Sequence, residues 1–421
     1  MNDALAAAAA QRKAARRLLP VLFVGYVLAY LDRVNVGFAK LGMHGEPWFS
    51  DAVYAAGAGV FFLGYFLFEV PSNLLLARVG ARRWIARIMV SWGAISALCA
   101  TCDSAASFHA LRFLLGIAEA GFFPGIVLYL TQWFPSAQRA QRIALFMTAI
   151  AAAGVLGSPL SGWILTATDG WHGHAAWRWL FVLEGLPSVA FGFAVLRLLP
   201  DGPDDAPWLA PDERRAIAAA LTADGATAPR THGLADAFRS PFVWRCCAVY
   251  FGLVVGLYGV SFWLPQMLAD AFDADAATTG WLAAVPWSVG AVAMVVVGRS
   301  SDRTGRRRLH VAAAATTGGA ALIACALPGL PATATLALLC VATAGMLAAV
   351  SCSWAAPTQA LAGTAAAAGI AWINSCGNLA GYLSPEIVAH LKAQHGLPAG
   401  LAVVGAALAL GGLFAPDAPR R

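Results

Sequence analysis

Charged residues are scarce in this sequence. Lysine, arginine, aspartate and glutamate make up 12% of its 421 residues, about half the ~25% that is usual for soluble domains. Hydrophobic residues make up 59%, and the mean hydropathy is +0.67. A soluble chain of this length would form two or three domains with polar, charged surfaces. The composition excludes that class and leaves a protein that crosses a membrane several times.

Catalytic and metal-binding patterns are also missing. The eight cysteines include one C-x-x-C, formed by Cys99 and Cys102 near the end of an apolar run. With no histidine close by, small apolar side chains in helices are the favoured interpretation. The motifs G-x-S-x-G and H-E-x-x-H do not occur, and a metal site at His172 and His174 is not favoured. We therefore expect no enzymatic activity, no bound metal and no cofactor.

Twelve apolar runs are long enough to cross a bilayer, because a transmembrane helix uses about 20 residues. These runs, numbered as spans 1 to 12, lie at about 18–39, 52–76, 84–102, 107–133, 141–166, 177–199, 244–269, 279–298, 309–327, 333–351, 358–389 and 398–415. A polar linker at 200–243 separates six spans from six. We predict an all-α polytopic membrane protein with 12 transmembrane helices in two six-helix halves, 18–199 and 244–415.

The basic residues indicate an orientation. Twenty-two lysines and arginines fall in segments that share one side of the predicted topology. Three fall on the other side: Lys40, Arg178 and Lys392. The basic side is normally cytoplasmic, so we expect the linker and both ends, 1–17 and 416–421, in the cytoplasm. The basic N-terminus leads into a full-length span, which argues against a cleavable signal peptide and predicts a multi-pass protein of the cell inner membrane.

The linker contains one pattern typical of a helix start. Pro211 is followed by Asp212 and Glu213, and proline in the first turn, with acids at the positive end of the helix dipole, favours a helix. We predict a short cytoplasmic helix at about 211–223, followed by flexible chain.

The two halves repeat features of each other. Span 5 carries Gly154 and Gly157, and span 11, its counterpart, carries Gly377 and Gly381. Small residues allow helices to pack closely, and parallel six-span repeats are one known plan for a transporter.

A loop motif follows span 8: Gly298-Arg-Ser-Ser-Asp302-Arg303-Thr-Gly305-Arg306-Arg307. It resembles the loop signature of the major facilitator superfamily. The matching segment after span 2 is degenerate, because Ala77 occupies the position of the aspartate. We expect Asp302, Arg303 and Arg306 to belong to a cytoplasmic latch between the halves, and a role in topology alone is the alternative.

Further stretches resemble the anion:cation symporter family within that superfamily. They include Tyr30-Leu-Asp32-Arg33-Val-Asn35, Glu69-Val-Pro71-Ser-Asn73, Arg112-Phe-Leu-Leu-Gly116-Ile-Ala-Glu119 and Trp208-Leu-Ala-Pro211-Asp-Glu213. The resemblance covers about 18–415. It implies the 12-helix fold of the superfamily and the import of organic anions such as sugar acids, tartrate, phthalate or hydroxyphenylacetate, usually with protons.

Charged residues inside the spans are the main candidates for a site, because a charge at the bilayer centre costs about 2.5–3.5 kcal/mol on insertion scales. Asp32 and Arg33 lie in span 1, Glu69 in span 2, and Arg112 and Glu119 in span 4. The planar fork of Arg33 matches a carboxylate and keeps its charge. Asp32 and Glu119 can instead gain and lose a proton.

These properties suggest roles, and the resemblance implies the same ones. Asp32 and Glu119 are candidate proton sites, Arg33 the clamp for a substrate carboxylate, and Arg112 a gating or pairing partner. A static ion-pair network is the alternative for all four. For Glu69, capping of backbone groups freed by the kink at Pro71 is an equal alternative. The role of Glu184 in span 6 is left open.

Uncharged polar residues complete the predicted substrate site. Tyr30 and Tyr65 lie in spans 1 and 2. Ser351, Ser353 and Trp354 form a polar patch in span 10, and Asn374 lies in span 11; the resemblance implies a site that uses such a patch and such an asparagine. Hydrogen bonding within a helix is the alternative for the serines, and bonding between helices is the alternative for Asn374.

These features predict a proton-coupled importer of a small organic carboxylate that works by alternating access around a site between the halves. The first alternative is a facilitator or antiporter for a neutral or cationic solute, and the second is a membrane-embedded enzyme or receptor. We expect an organic anion, protons and the lipid bilayer as partners, no nucleic acid, and a monomer. The sequence leaves open whether the substrate is a sugar acid, a tartrate-like acid or an aromatic acid.

Overall fold

The computed structural model describes residues 2–227, 239–360 and 363–417. Within these ranges every regular element is a helix. The first half comprises α1 (Asn2–Val34), α2 (Val36–Met43), α3 (Asp51–Val79), α4 (Ala81–Leu98), α5 (Ala105–Glu119), α6 (Phe122–Thr131), α7 (Ser136–Met147), α8 (Ala149–Ala167) and α9 (Ala176–Leu198).

The linker helix α10 (Pro211–Thr227) precedes the second half. That half comprises α11 (Pro241–Phe272), α12 (Ala276–Thr304), α13 (Arg307–Ala324), α14 (Ala332–Ser353), α15 (Ala355–Ala360), α16 (Gly363–His395) and α17 (Leu397–Leu413). Among the described residues, nine helical stretches are long and apolar enough to cross a membrane. With α13, α16 and α17 they give the predicted total of twelve, so the predicted fold class is confirmed.

The segments outside the spans follow the expectations in part. The chain predicted as a tail at 1–17 is helical from Asn2 onward and continues into span 1, as its alanine-rich sequence favours. The predicted linker helix is present as α10. Residues 228–238, most of the predicted flexible chain, lie outside the described residues, as do 418–421 of the predicted C-terminal tail.

Spans 1 and 4 are each interrupted inside the bundle. α1 passes to α2 at Asn35, and α5 passes to α6 through Gly121. Gly121 has a φ of 86°, which glycine adopts without strain, and a Cβ there would lie 2.4 Å from the hydroxyl oxygen of Ser72. Arg33 lies in the last turn of α1 and Glu119 is the last residue of α5. The breaks therefore place both charged residues at helix ends.

Ion pairs gather the basic segments at one end of the molecule. Lys13 Nζ lies 2.7 Å from Glu213 Oε2 of the linker helix, and Arg139 Nη2 lies 3.5 Å from Asp224 Oδ2 of the same helix. The hydrogen bond from Lys13, together with that from the Ala210 backbone, holds the pKa of Glu213 below its usual range. The N-terminal helix, the loop between spans 4 and 5, and α10 thus share one end.

At the opposite end, called the outer end below, the two halves pack closely along α8 and α12. A Cβ on Gly162 would lie 2.4 Å from the carbonyl oxygen of Ala276, and a Cβ on Gly280 would lie 2.5 Å from that of Ser158. α3 packs against α16, and α2 against α11, across the same interface. The glycines allow the backbones to touch, so the outer end is closed in this structure.

Gly116 sets the spacing between α5 and α3. A Cβ at this position would lie 1.9 Å from the carbonyl oxygen of Phe61, so a side chain must push the helices apart. Gly116→Ala is expected to lower the thermal unfolding midpoint of the detergent-solubilised protein by about 2–6 °C. Gly298→Ala is the matched control, because a Cβ there meets nothing within 4 Å. Equal midpoints for the two variants would contradict the prediction.

Candidate functional site

A narrow cavity lies between the two halves, and five of the twelve residues that line it are tyrosines. The first half contributes Tyr26, Tyr30, Arg33, Tyr65, Phe123 and Ile150, and the second half contributes Tyr250, Val254, Leu257, Tyr258, Asn374 and Asn378. Four predicted site residues, Tyr30, Arg33, Tyr65 and Asn374, therefore share one cavity. Their roles remain predictions.

Arg33 connects the two halves across this cavity. Its Nη2 forms an ion pair with Glu119 Oε1, and its Nη1 donates a 2.7 Å hydrogen bond to the hydroxyl of Tyr258 on α11. The guanidinium also lies 5.5 Å from the ring centre of Phe61 and 5.4 Å from that of Tyr65, within the range of cation–π attraction. Both members of the ion pair are buried, so the pair sits in a medium of low dielectric where its charges interact strongly.

Asp32 points away from the cavity, although it adjoins Arg33 in sequence. Its carboxylate accepts hydrogen bonds from Trp92 Nε1 (3.1 Å), Ser96 Oγ (2.7 Å) and Ser188 Oγ (2.5 Å). Consecutive residues of an α-helix point about 100° apart, so the two side chains enter different environments. The hydrogen-bond partners of Asp32 are neutral groups of α4 and α9.

Glu184 lies one helical turn before Ser188 on α9. It is 2% exposed and accepts a 2.6 Å hydrogen bond from Ser161 Oγ on α8. Because Ser188 binds Asp32, the two acids belong to one buried polar region inside the first half.

Glu69 bridges the two halves, which sequence patterns did not indicate. Its carboxylate accepts hydrogen bonds from Asn374 Nδ2 (2.7 Å), Ser375 Oγ (2.7 Å) and Asn378 Nδ2 (3.3 Å), all on α16. The backbone carbonyl of Glu69 is bound instead by the Asn73 side chain, at 2.9 Å. The carboxylate therefore serves the contact between α3 and α16 rather than backbone groups at the proline kink.

Arg112 binds backbone rather than Glu119. Its Nε donates to the carbonyl oxygen of Gly57 (3.2 Å) and its Nη2 to that of Arg33 (3.5 Å). The side chain is fully buried. Arg112 thus holds α5 against α3 and against the end of α1, where Arg33 lies.

The predicted patch in span 10 lies beside the cavity rather than in its wall. Ser351 and Ser353 donate to the carbonyl oxygens of Ala348 and Val350 in their own helix, as the alternative interpretation expected. Trp354 packs edge-on against Tyr250, with ring centres 4.8 Å apart, and lies 5.8 Å from Phe123. Trp354 therefore reaches the site through the rings of two lining residues.

The motif after span 8 makes local contacts in this structure. Asp302 pairs with Arg307 at 3.3 Å, within the second half, and the side chains of Arg303 and Arg306 are exposed. At the matching segment after span 2, Asp201 from the end of span 6 contacts Arg82. Its Oδ1 accepts a 2.9 Å hydrogen bond from the backbone N–H of Arg82, and its Oδ2 lies 3.5 Å from Arg82 Nε.

A cluster of charges closes the outer end. Asp51 lies 2.7 Å from the Nζ of Lys40 in the first half and 2.7 Å from the Nζ of Lys392 in the second half. Lys40 also lies 3.8 Å from the ring centre of Trp263 on α11. The sequence offered one indication that was not used: Lys40 and Lys392 are two of only three basic residues on the sparsely basic side.

The hydrogen bonds of Glu69 lead to a stability prediction. Glu69→Gln replaces one carboxylate oxygen, which accepts hydrogen bonds, with an NH₂ group that would face the donors of α16. Each hydrogen bond to a charged group is worth about 1.5–3 kcal/mol. The variant is expected to unfold about 2–6 °C below the unmodified protein. Glu46→Gln is the control, since the hydrogen-bond partner of Glu46, Trp177, lies in its own half. A smaller shift for Glu69→Gln than for Glu46→Gln would count against the cross-half contact.

Comparisons with known proteins agree with this architecture. The family described as Major Facilitator Superfamily matches residues 22–385. A protein of Agrobacterium vitis named "Putative tartrate transporter" is 43% identical over 422 residues, which cover 97% of this chain and 92% of that protein. A protein of Pseudomonas putida named "Putative metabolite transport protein NicT" is 42% identical over 373 residues, covering 88% and 85%. The crystal structure of a D-xylose-proton symporter superposes with a TM-score of 0.75 at 15% identity, covering 96% and 98%. This chain belongs to the Major Facilitator Superfamily and is a multi-pass membrane transporter rather than an enzyme.

Proposed function

We propose that the protein imports a small organic carboxylate together with protons, by alternating access around the cavity between its halves. The observation that carries this proposal is the buried ion pair of Arg33 and Glu119 at the cavity wall. Arg33 is the one charged residue among the twelve that line the cavity. An anionic substrate therefore has a single cation to bind, and Glu119 already occupies it.

Competition for Arg33 links the proton to the substrate. When Glu119 is ionised, it neutralises Arg33 and leaves no charge for a second carboxylate. A proton on Glu119 removes that compensation, and a substrate carboxylate then restores neutrality. The empty pair and the doubly loaded site are both neutral, whereas a site with only the proton or only the substrate carries an uncompensated buried charge, which is costly. The two permitted states are those of a symporter.

The neighbouring residues fit supporting roles in this scheme. Asp32, held by three neutral donors, is proposed as a second proton site. Arg112 is proposed to hold the end of α1 that carries Arg33. Asp302, Arg303 and Arg306 are proposed to take part in a latch at the basic end, formed in a state other than the present one.

The outer cluster is proposed as the gate on the other side of the cavity. Asp51 holds an ammonium group from each half, and Lys40 packs on Trp263 of the second half. Opening the outer end requires separation of Asp51 from Lys392.

Two relatives named as a tartrate and a metabolite transporter, and the fold shared with a proton symporter, support the proposed import of a carboxylate with protons.

Glu119→Gln tests the coupling. The neutral amide imitates protonated Glu119, so in proteoliposomes exchange of a radiolabelled carboxylate across the membrane should continue. Accumulation driven by an imposed pH gradient should fall by at least about tenfold. The control is Glu213→Gln, which removes an equal charge at the linker helix. Full pH-driven accumulation by Glu119→Gln would refute an obligatory proton role for Glu119.

Asp51→Asn tests the outer gate. Without the carboxylate, Lys40 and Lys392 repel each other across the interface, so the outer ends of the halves should separate. Spin labels at 174 and 395 should then report a longer mean distance by pulsed electron resonance. Asp103→Asn, in an outer turn of the first half, is the control. An unchanged distance in Asp51→Asn would remove the cluster from the gate.

A further inference from the structure

We infer that the cavity selects a flat, singly charged aromatic carboxylate over dianions and over polyhydroxylated acids. This inference rests on the proposed function and specifies its substrate class. Three properties of the cavity lead to it: its charge, its aromatic rings, and the hydrogen bonds that its polar groups already make within the protein.

The charge of the cavity fits one carboxylate. Arg33 is its one charged lining residue. Arg112, which binds the backbone of Arg33, uses its Nε and Nη2 to donate hydrogen bonds to backbone carbonyl oxygens. The Glu69 carboxylate, which binds two asparagines of the cavity lining, would repel a second negative charge. A dianion would therefore bury one carboxylate without a cation, which is strongly unfavourable.

Aromatic rings form a continuous wall on one side of the cavity, in which Trp354 lies behind the lining residues Phe123 and Tyr250 and joins them. Ring centres lie 5.9 Å apart for Tyr26 and Phe123, 5.8 Å apart for Phe123 and Trp354, and 4.8 Å apart for Trp354 and Tyr250. The wall crosses from the first half to the second. Such spacings suit offset or edge-on packing of one further ring, so a planar apolar body is the shape that this wall favours.

Many polar groups of the cavity are already used by the protein itself. Tyr30 shares a 3.0 Å hydrogen bond with Ser261, Tyr258 accepts from Arg33, and Asn374 and Asn378 donate to Glu69. A polyhydroxylated acid loses hydrogen bonds to water at every hydroxyl that it buries. With these groups committed, several of its hydroxyls would stay unpaired, and unpaired buried polar groups weaken binding.

Four acids and one neutral compound separate these properties. Benzoate and phthalate share an aromatic ring, but phthalate carries one more negative charge. Benzoate and gluconate carry the same charge, but gluconate has hydroxyl groups in place of the ring. Tartrate differs from benzoate in both charge and ring, and benzyl alcohol has the ring without the charge. Calorimetry of the full chain in detergent, at neutral pH, should show benzoate binding at least about tenfold more tightly than the other four, a difference of one decade in Kd.

The outcomes distinguish this inference from the proposed function. Tartrate, phthalate or gluconate binding as tightly as benzoate would overturn the inference and leave a carboxylate transporter standing. Absence of binding by all four acids would overturn both. Benzyl alcohol binding as tightly as benzoate would mean that Arg33 does not clamp a carboxylate, and Arg33→Lys should then leave benzoate affinity unchanged instead of lowering it.

Variants of the aromatic wall supply the second test. Tyr250→Leu removes a ring and should weaken benzoate binding while gluconate binding, however weak, stays unchanged. Tyr250→Phe keeps the ring and should retain benzoate affinity. Phe123→Leu repeats the test from the first half if Tyr250→Leu does not fold. Equal benzoate affinity in the leucine variants and the unmodified protein would overturn the role of the wall.

Discussion

The buried guanidinium of Arg33 is compensated by the carboxylate of Glu119, because removing a charge from water is costly unless the charge is paired and hydrogen-bonded. This requirement explains much of the surrounding structure. Tyr258 takes a second hydrogen bond of the guanidinium, the rings of Phe61 and Tyr65 flank it, and Arg112 holds the backbone of Arg33 itself. Three of these four contacts come from the first half and one from the second. The pair is therefore positioned mainly by one half, and its environment changes when the other half moves.

The interrupted helices make this pair sterically feasible. Glu119 ends α5 and Arg33 lies in the last turn of α1, so their side chains meet where the regular backbone stops. Gly121 follows with a positive φ that other residues rarely adopt, pressed against Ser72. Irregular backbone inside a membrane is tolerated where it is buried in protein or lines a cavity. Here the breaks after α1 and α5 end the regular helices next to Arg33 and Glu119, where an uninterrupted helix would continue.

Sequence patterns were sufficient for the fold but not for the pairing of charges. Hydrophobic run length and the loop motif depend on local chemistry, so the twelve spans, the two halves and the α10 helix could be predicted. Which charges meet depends on how distant helices pack. Arg33 and Glu119 are 86 positions apart, and Glu69 and Asn374 are 305 apart. The hydrogen-bond partners of Asp32 on α4 and α9, and the grouping of Lys40, Asp51 and Lys392, follow from the same long-range packing.

The contact of Asp201 with Arg82 joins the loop after span 2 to the end of span 6. A backbone N–H at the start of α4 needs an acceptor, and here it comes from a residue 119 positions later in the chain. Gly80 is fixed by the same contact, because a Cβ there would lie 2.6 Å from Asp201 Oδ1. Because the acceptor is supplied from the end of the sixth span, the start of α4 does not depend on an aspartate at the position of Ala77. The loop after span 2 is thus held by an acid that lies outside its own sequence.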